Sequence, residues 1–205
     1  MGEDHVKITL LKQQVNDANR VSVFVDNEYA FSLTLDQVIE EKIKKGLELD
    51  LAQLDTLKAL SDEGKLRARA LEWLLRRPHS TKEFRDYCYR KKIDKDLSEK
   101  LQAEFQDRGY IDDQKFAQWF SEQRFTKGKS ARAVQSELAS KGIDSAIASE
   151  IVATAQDDGQ ALKRLVSKLR TRSRYQDDKK LTANLIGKGF QYADVKRVLE
   201  QPSDE

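Results

Sequence analysis

The chain repeats itself. Residues 80–109, STKEFRDYCYRKKIDKDLSEKLQAEFQDRG, align without a gap to residues 130–159, SARAVQSELASKGIDSAIASEIVATAQDDG, at an offset of 50 positions. Both stretches open on Ser, place an apolar residue four positions on (Phe84, Val134), carry Ile-Asp at 93/94 and 143/144, and end in Gly. A third, shortened copy occupies 177–201, at an offset of 47 from the second, with Leu181 for Val134, Leu185 for Leu138, Phe190 for Ile143 and Val198 for Ile151. Self-similarity at such a period marks stacked supersecondary units, each too small to bury its apolar face alone.

Ahead of each copy lies one more amphipathic segment: residues 68–77, 112–125 and 159–172. Their apolar residues recur at helical spacing, as in Leu71, Leu74, Leu75; Phe116, Trp119, Phe120; and Leu162, Leu165, Val166, Leu169. Each unit therefore reads as three helices. Between the second and third helix stands Lys-Lys-Ile, Lys-Gly-Ile or Lys-Gly-Phe. The glycine suits a helix end at positive φ, followed by an apolar residue that packs back; Lys92 takes that place in the first unit at a modest strain.

The first third has another character. Residues 6–13, 20–26 and 28–34 are β-branched and aromatic, Val21, Val23 and Val25 alternate, and Asn/Asp turns separate the runs, which predicts a three-stranded meander. Helices follow, with Asp36 as an N-cap and Gly46 as a stop, and then Asp50 capping a helix whose Leu51, Leu54, Leu57 and Leu60 form one stripe. The expected organisation is 1–66 β-meander and helices, then three-helix repeats at 67–110, 111–158 and 159–205. The fold class is mainly α: tandem three-helix repeats in an elongated curved array. Composition agrees, with 35% charged against 39% hydrophobic residues and only two prolines, a balance poor in material for one large core.

Charge is unevenly placed. Residues 1–66 hold 8 Lys/Arg against 13 Asp/Glu, a balance of −5; the remainder holds 29 against 22, a balance of +7. The basic residues gather in the linkers between first and second helices: 76–80 (RRPHS), 124–132 (RFTKGKSAR) and 170–177 (RTRSRYQD). One such linker needs only solubility to explain it. Three at equivalent positions predict a strip of positive potential suited to phosphate, made of Arg76, Arg77, Arg124, Lys127, Lys129, Arg132, Arg170, Arg172 and Arg174. Ser80, Ser130 and Asp177 end these linkers as N-caps.

Catalytic constellations are missing from the sequence. His5 and His79 have no Cys or second His at ligand spacing, Cys88 is the sole cysteine, and no phosphate-binding glycine loop occurs, so no catalytic residue, metal or cofactor is expected. The adjacent carboxylates in GYIDD (109–113) could suggest a metal, but Gly109 as a helix stop and Asp112 or Asp113 as an N-cap account for them more simply. Phe116, Trp119 and Phe120 follow the helix period and read as core, whereas Tyr89 and Tyr175 sit among basic residues and remain open for base stacking. No secretory segment opens the sequence and no apolar run approaches a membrane span, so a cytoplasmic protein without membrane contact is expected.

The string GYIDDQKFAQWFSEQRFTKGKSARAVQSELASKGI (109–143) resembles the central signature of the RecX regulatory proteins: Gly-Tyr-Ile-Asp-Asp, Phe-Ala, a basic Lys-Gly linker, Glu-Leu and Lys-Gly-Ile. ARALEWLLRRPHSTKEF (68–84) resembles the family's preceding unit, and the similarity in order and spacing covers roughly 67–201, with the N-terminal strands resembling an extension of some members. The departures are Arg-Asp-Tyr-Cys-Tyr at 85–89, where a Leu-rich stretch is usual, and Lys92 for glycine. The resemblance implies a modular, curved helical molecule that regulates the RecA recombinase, usually by inhibition. Such a molecule binds the RecA–DNA filament in its groove and limits filament growth, ATP hydrolysis and strand exchange in homologous recombination and DNA repair. The expected partners are the RecA filament and the DNA phosphate backbone without sequence preference, and the expected state is a monomer. Two rivals stand beside this reading: a stand-alone nonspecific DNA-binding protein, and a nuclease using Asp112 and Asp113.

Overall fold

A computed structural model describes residues 5–15, 17–155 and 158–200, with Ala155 described in its backbone only. The chain divides into two compact units, Met1–Trp73 and Leu74–Glu205.

In the first unit, β1 (His5–Gln13), β2 (Arg20–Val25) and β3 (Glu28–Thr34) form the expected antiparallel meander. Asp26 and Asn27 join β2 to β3 with φ of 48° and 72°, the left-handed pair that a two-residue hairpin turn needs and that short polar side chains tolerate. The alternation holds: Val21, Val23 and Val25 are buried while Ser22 and Phe24 are half-buried. Three strands are not the whole sheet. A fourth, β4 (Glu48–Asp50), pairs antiparallel with His5–Lys7 of β1, giving the order β3-β2-β1-β4.

Its presence corrects the helix read over 36–46. Helix α1 (Leu35–Glu40) is short and is capped by Thr34, not Asp36: the Thr34 hydroxyl accepts from Gln37 N at 3.2 Å and the Gln37 side chain accepts from Thr34 N at 3.0 Å. The chain leaves the helix at Lys42 (φ 52°), and Gly46 (φ 88°) serves the turn into β4 rather than a helix stop. Asp50 does cap α2 (Leu51–Leu74), accepting from Gln53 N at 2.7 Å. Leu54 and Leu57 join Ile8, Val23, Phe31, Leu33 and Leu49 in the unit's core, with Leu60 partly buried, whereas Leu51 at the helix start stays half exposed. Helix α2 runs unbroken through residues 66 and 67, so 68–74 is its last part, not a separate helix.

The second unit is helical: α3 (Thr81–Arg90), α4 (Lys95–Asp107), α5 (Asp113–Thr126), α6 (Ala131–Ser140), α7 (Ser145–Ala155), α8 (Asp158–Arg170), α9 (Asp178–Gly187) and α10 (Tyr192–Glu200), with a single 3-10 turn at Ser173–Tyr175 before α9. The sequence alignment carries over to burial. Phe84, Val134 and Leu181 are all fully buried, and so, nearly, are Cys88, Leu138 and Leu185. Phe84 meets Phe105 edge to face at 5.8 Å. Phe116, Phe120, Val134, Leu138, Ile143 and Val152 form one core, and Leu162, Leu169, Leu181, Leu185, Phe190 and Val195 another. Ser80, Ser130 and Asp177 cap α3, α6 and α9 as expected.

Candidate functional site

The candidate surface is built where one repeat docks on the next. After α6 comes Lys141-Gly142 and after α9 Lys188-Gly189, with the glycines at φ 78° and 96°. Each turn seats on the first turn of the second helix of the preceding repeat. The Ser80 hydroxyl donates to the Lys141 carbonyl at 2.9 Å, and Ser130 N donates to the Lys188 carbonyl at 2.9 Å. A Cβ at Gly142 would stand 2.7 Å from Lys82 Cβ, and one at Gly189 only 2.4 Å from Ala133 Cβ. Glycine is thus required twice over, for the sign of φ and for the approach. Lys92, the same position in the first repeat, has φ 54° but lies exposed, which is why a side chain fits there.

A second latch closes each junction. Asp113, the first residue of α5, accepts from Thr81 N at 2.7 Å, and Asp158, the first of α8, accepts from Ala131 N at 2.9 Å. A carboxylate at a helix N-terminus satisfies an otherwise unpaired amide and favours the helix dipole. Asp112 meanwhile caps its own helix, accepting from Gln114 N and Lys115 N at 3.0 Å. The two GYIDD carboxylates are therefore both held by backbone amides, in keeping with the cap reading, and Gly109 at φ 69° ends α4. Among the described residues no cluster of three or more His, Cys, Asp or Glu could hold a metal ion, and no helix is long and apolar enough to cross a membrane.

The two junctions differ in charge. At the first, Glu83 on α3 is 13% exposed and accepts from Arg77 at 2.8 Å, His79 Nδ1 at 3.1 Å and Lys141 Nζ at 2.9 Å. Burial by itself pushes the Glu83 carboxyl up, but hydrogen bonds from His79, Arg77 and Lys141 outweigh it and hold the group well below the usual carboxylate range. A lowered folded-state value means that the unfolded chain binds the proton first as the pH falls. The contribution is fully present at neutral pH and declines once the pH drops below about 4.5. Acid titration of the second unit, followed by circular dichroism, should show this loss, and Glu83→Gln should remove that part of the pH dependence.

The second junction has no such carboxylate. The residue three after the capping serine is Ala133 where the first repeat has Glu83, and Gly189 seats closely upon it, so that a Cβ at Gly189 would stand 2.4 Å from Ala133 Cβ. Lys188 stands for Lys141 and Lys129 for His79. Lys188 Nζ turns to the Lys127 carbonyl at 2.6 Å, and Lys129 Nζ lies 3.4 Å from the Gly187 carbonyl. Burial, and after it the nearby charge of Lys129, pushes the Lys188 ammonium down. Facing these lysines across an open cleft of about 520 Å³ is α8, and among the described residues the cleft's charged lining is Lys127, Lys129, Arg164, Lys168, Arg172 and Lys188, without one carboxylate.

Of the nine residues expected to form a basic strip, Lys127, Lys129 and Arg172 line this cleft, and Arg132 lies in a neighbouring recess with Lys163 and Arg197. Four are held in ion pairs of the fold: Arg77 with Glu83, Arg124 with Glu137 at 2.6 Å, Lys129 with Glu137 at 3.5 Å, and Arg170 with Asp178. Arg124 also lies over the Phe120 ring at 4.5 Å, and Arg174 over Tyr175 at 5.8 Å. Arg76 and Arg174 are exposed, outside the cleft lining. Tyr175 packs against the last core and receives a hydrogen bond from Asn184, while Tyr89 is 85% exposed. The sequence reading missed Arg164, Lys168 and Lys188. Arg164, Lys168 and Arg172 recur at every fourth position of the sequence, off the apolar stripe of α8 and just past its end, a signal that was present.

Two family profiles match the chain, the regulatory protein RecX N-terminal domain over residues 6–50 and the RecX second three-helix domain over 112–151. The regulatory protein RecX of Bacillus pumilus is 29% identical over 96% of this chain and 78% of its own length, and that of Bacillus velezensis 30% identical over 97% and 78%. A crystal structure of a regulatory protein RecX, 20% identical, superposes with a TM-score of 0.70 over 96% of this chain and all of the other, and so shares its fold. The N-terminal sheet, the stacked three-helix repeats and the near full-length similarity agree: the chain belongs to the RecX family of regulatory proteins.

Proposed function

We propose that this chain regulates the RecA recombinase, as an inhibitor that binds the RecA–DNA filament along its groove and limits filament growth, ATP hydrolysis and strand exchange. The observation that carries the reading is family membership over nearly the whole length, sheet and repeats included. The basic cleft supports it, because a filament of protein and DNA presents a long polyanion to any protein lying in its groove. The residues committed to the interaction are the basic strip, of which Lys127, Lys129 and Arg172 face the cleft. They position phosphates rather than read bases. The protein acts in the cytoplasm as a monomer, without enzymatic activity of its own.

A stand-alone nonspecific DNA-binding protein would use the same cleft. The two readings separate in a RecA ATPase assay on single-stranded DNA with this protein titrated in. Suppression at equimolar or lower ratios to RecA, with shortened filaments, is the expected result. Unchanged ATPase and filament length, together with affinity for naked DNA that is indifferent to RecA, would leave only the stand-alone reading.

A further inference from the structure

The two repeat junctions can be superposed through their shared latches, with Ser80 on Ser130, Asp113 on Asp158 and Lys141 on Lys188. At the first junction the converging donors Arg77, His79 and Lys141 close on Glu83, an anion that the chain itself supplies. At the second, Lys129 and Lys188 reach across to the Gly187 and Lys127 carbonyls, and Ala133 stands in the place of the glutamate. The facing helix changes in step. Trp119 and Gln123 of α5 and Lys127 just past its end correspond, through the Asp113–Asp158 latch, to Arg164 and Lys168 of α8 and Arg172 just past its end. One wall thus loses a carboxylate while the other gains two cations. Charge of one sign gathered in a cleft costs free energy that a bound anion relieves, and here Glu137 offsets Lys129 but is not part of the lining.

We infer that the second junction is a phosphodiester site, in which a nucleic-acid phosphate stands where Glu83 stands in the first, between Lys129 and Lys188 and opposite Lys168. The inference rests on the proposed function and narrows it to one binding element. Arg164 and Lys168 lie one turn apart on α8, about 6 Å along its axis, and Arg172 follows two residues beyond the helix end in the same cleft lining, a run of cations suited to successive phosphates of one strand. A backbone of linked anions fits this row of cations. A single protein carboxylate would be matched by one or two of them and would leave the rest unneutralised. Glu137 pairs with Lys129 at 3.5 Å and with Arg124 at 2.6 Å and is not among the cleft's lining residues. It keeps Lys129 in place without filling the site.

The test is binding of a short labelled oligothymidylate, by fluorescence anisotropy across a range of salt. Lys168→Glu, at an exposed position, introduces a carboxylate opposite Lys188 and closes the site from within. It should weaken binding about tenfold at low salt and reduce the slope of log affinity against log salt by about 1. The double variant Arg164→Ala, Arg172→Ala should act in the same direction. Lys95→Glu, which makes the same change of net charge on α4 at a side chain 84% exposed, is the control and should change binding far less. Equal losses in Lys168→Glu and Lys95→Glu, or no loss in either cleft variant, would overturn the site. So would poly-L-glutamate binding as tightly as the oligonucleotide and being lost in the same variants, since the cleft would then favour an acidic protein surface. The RecA assay keeps the two proposals apart. Suppression of the ATPase by a parent protein whose oligonucleotide binding ignores the cleft variants removes the site and spares the regulator. Cleft-dependent binding with no effect on RecA does the reverse.

Discussion

Gly189→Ala should lower the stability of the helical unit by about 3 kcal/mol, whereas Lys92→Gly, at the same position of the repeat, should leave it within about 0.5 kcal/mol of the parent. Both residues end a second helix at positive φ. At Gly189 a methyl group must adopt φ 96° and would lie 2.4 Å from Ala133 Cβ and 2.6 Å from Ser130 Oγ, neither of which is the mobile end of a long side chain. The turn must lift away, and with it goes the bond from Ser130 N to the Lys188 carbonyl. At Lys92 the strain that glycine relieves is nearly offset by the extra freedom it gives the unfolded chain. Thermal unfolding should resolve the contrast, with a fall of roughly 10 °C for Gly189→Ala. Equal effects at the two positions would mean that docking on the preceding repeat does not set the glycine requirement.

The second large effect is expected at Glu83. Glu83→Ala leaves Arg77, His79 and Lys141 gathered around a lost anion, in a setting that is buried on the Glu83 side but partly open around Arg77 and Lys141. Fully buried pairs lose more than exposed ones when one partner is removed, and this intermediate case should cost about 2 kcal/mol at neutral pH. Lys141→Met should be milder because Arg77 and His79 remain on the carboxylate. The double variant should show a coupling of about 1 kcal/mol, since the two side chains are in direct contact. Denaturant unfolding of the four proteins measures it, and strict additivity would show that the 2.9 Å contact carries no energy.

What the sequence revealed and what it hid divide along the range of the interactions. The serine caps, the glycine turns and the apolar positions at 84, 134 and 181 depend on neighbours within a turn or two, and all were legible. Strand β4 was not. Three residues, Glu-Leu-Asp, have no periodicity of their own, and they become a strand only by pairing with His5–Lys7 some forty positions away. The Thr34 cap was within reach, because Thr34-Leu35-Asp36-Gln37 fits the capping-box spacing, but the nearer Asp36 drew the assignment. In the candidate site, the linker composition pointed to Lys127, Lys129 and Arg172. It did not distinguish Lys127 and Arg172 from Arg77, Arg124 and Arg170, whose charge is spent on Glu83, Glu137 and Asp178, nor show that Lys129 shares Glu137 with Arg124. That difference is tertiary, as is the one that makes the second junction a cleft: an alanine in place of a glutamate, under a glycine contributed by the next repeat.

The most direct measurement is single-strand-dependent ATP hydrolysis by RecA with the parent chain and Lys168→Glu titrated side by side. Suppression by the parent at equimolar or lower ratios, with several-fold more Lys168→Glu needed for the same effect, is the predicted result. Hydrolysis that continues unchanged in the presence of equimolar parent protein would contradict regulation of RecA by this chain.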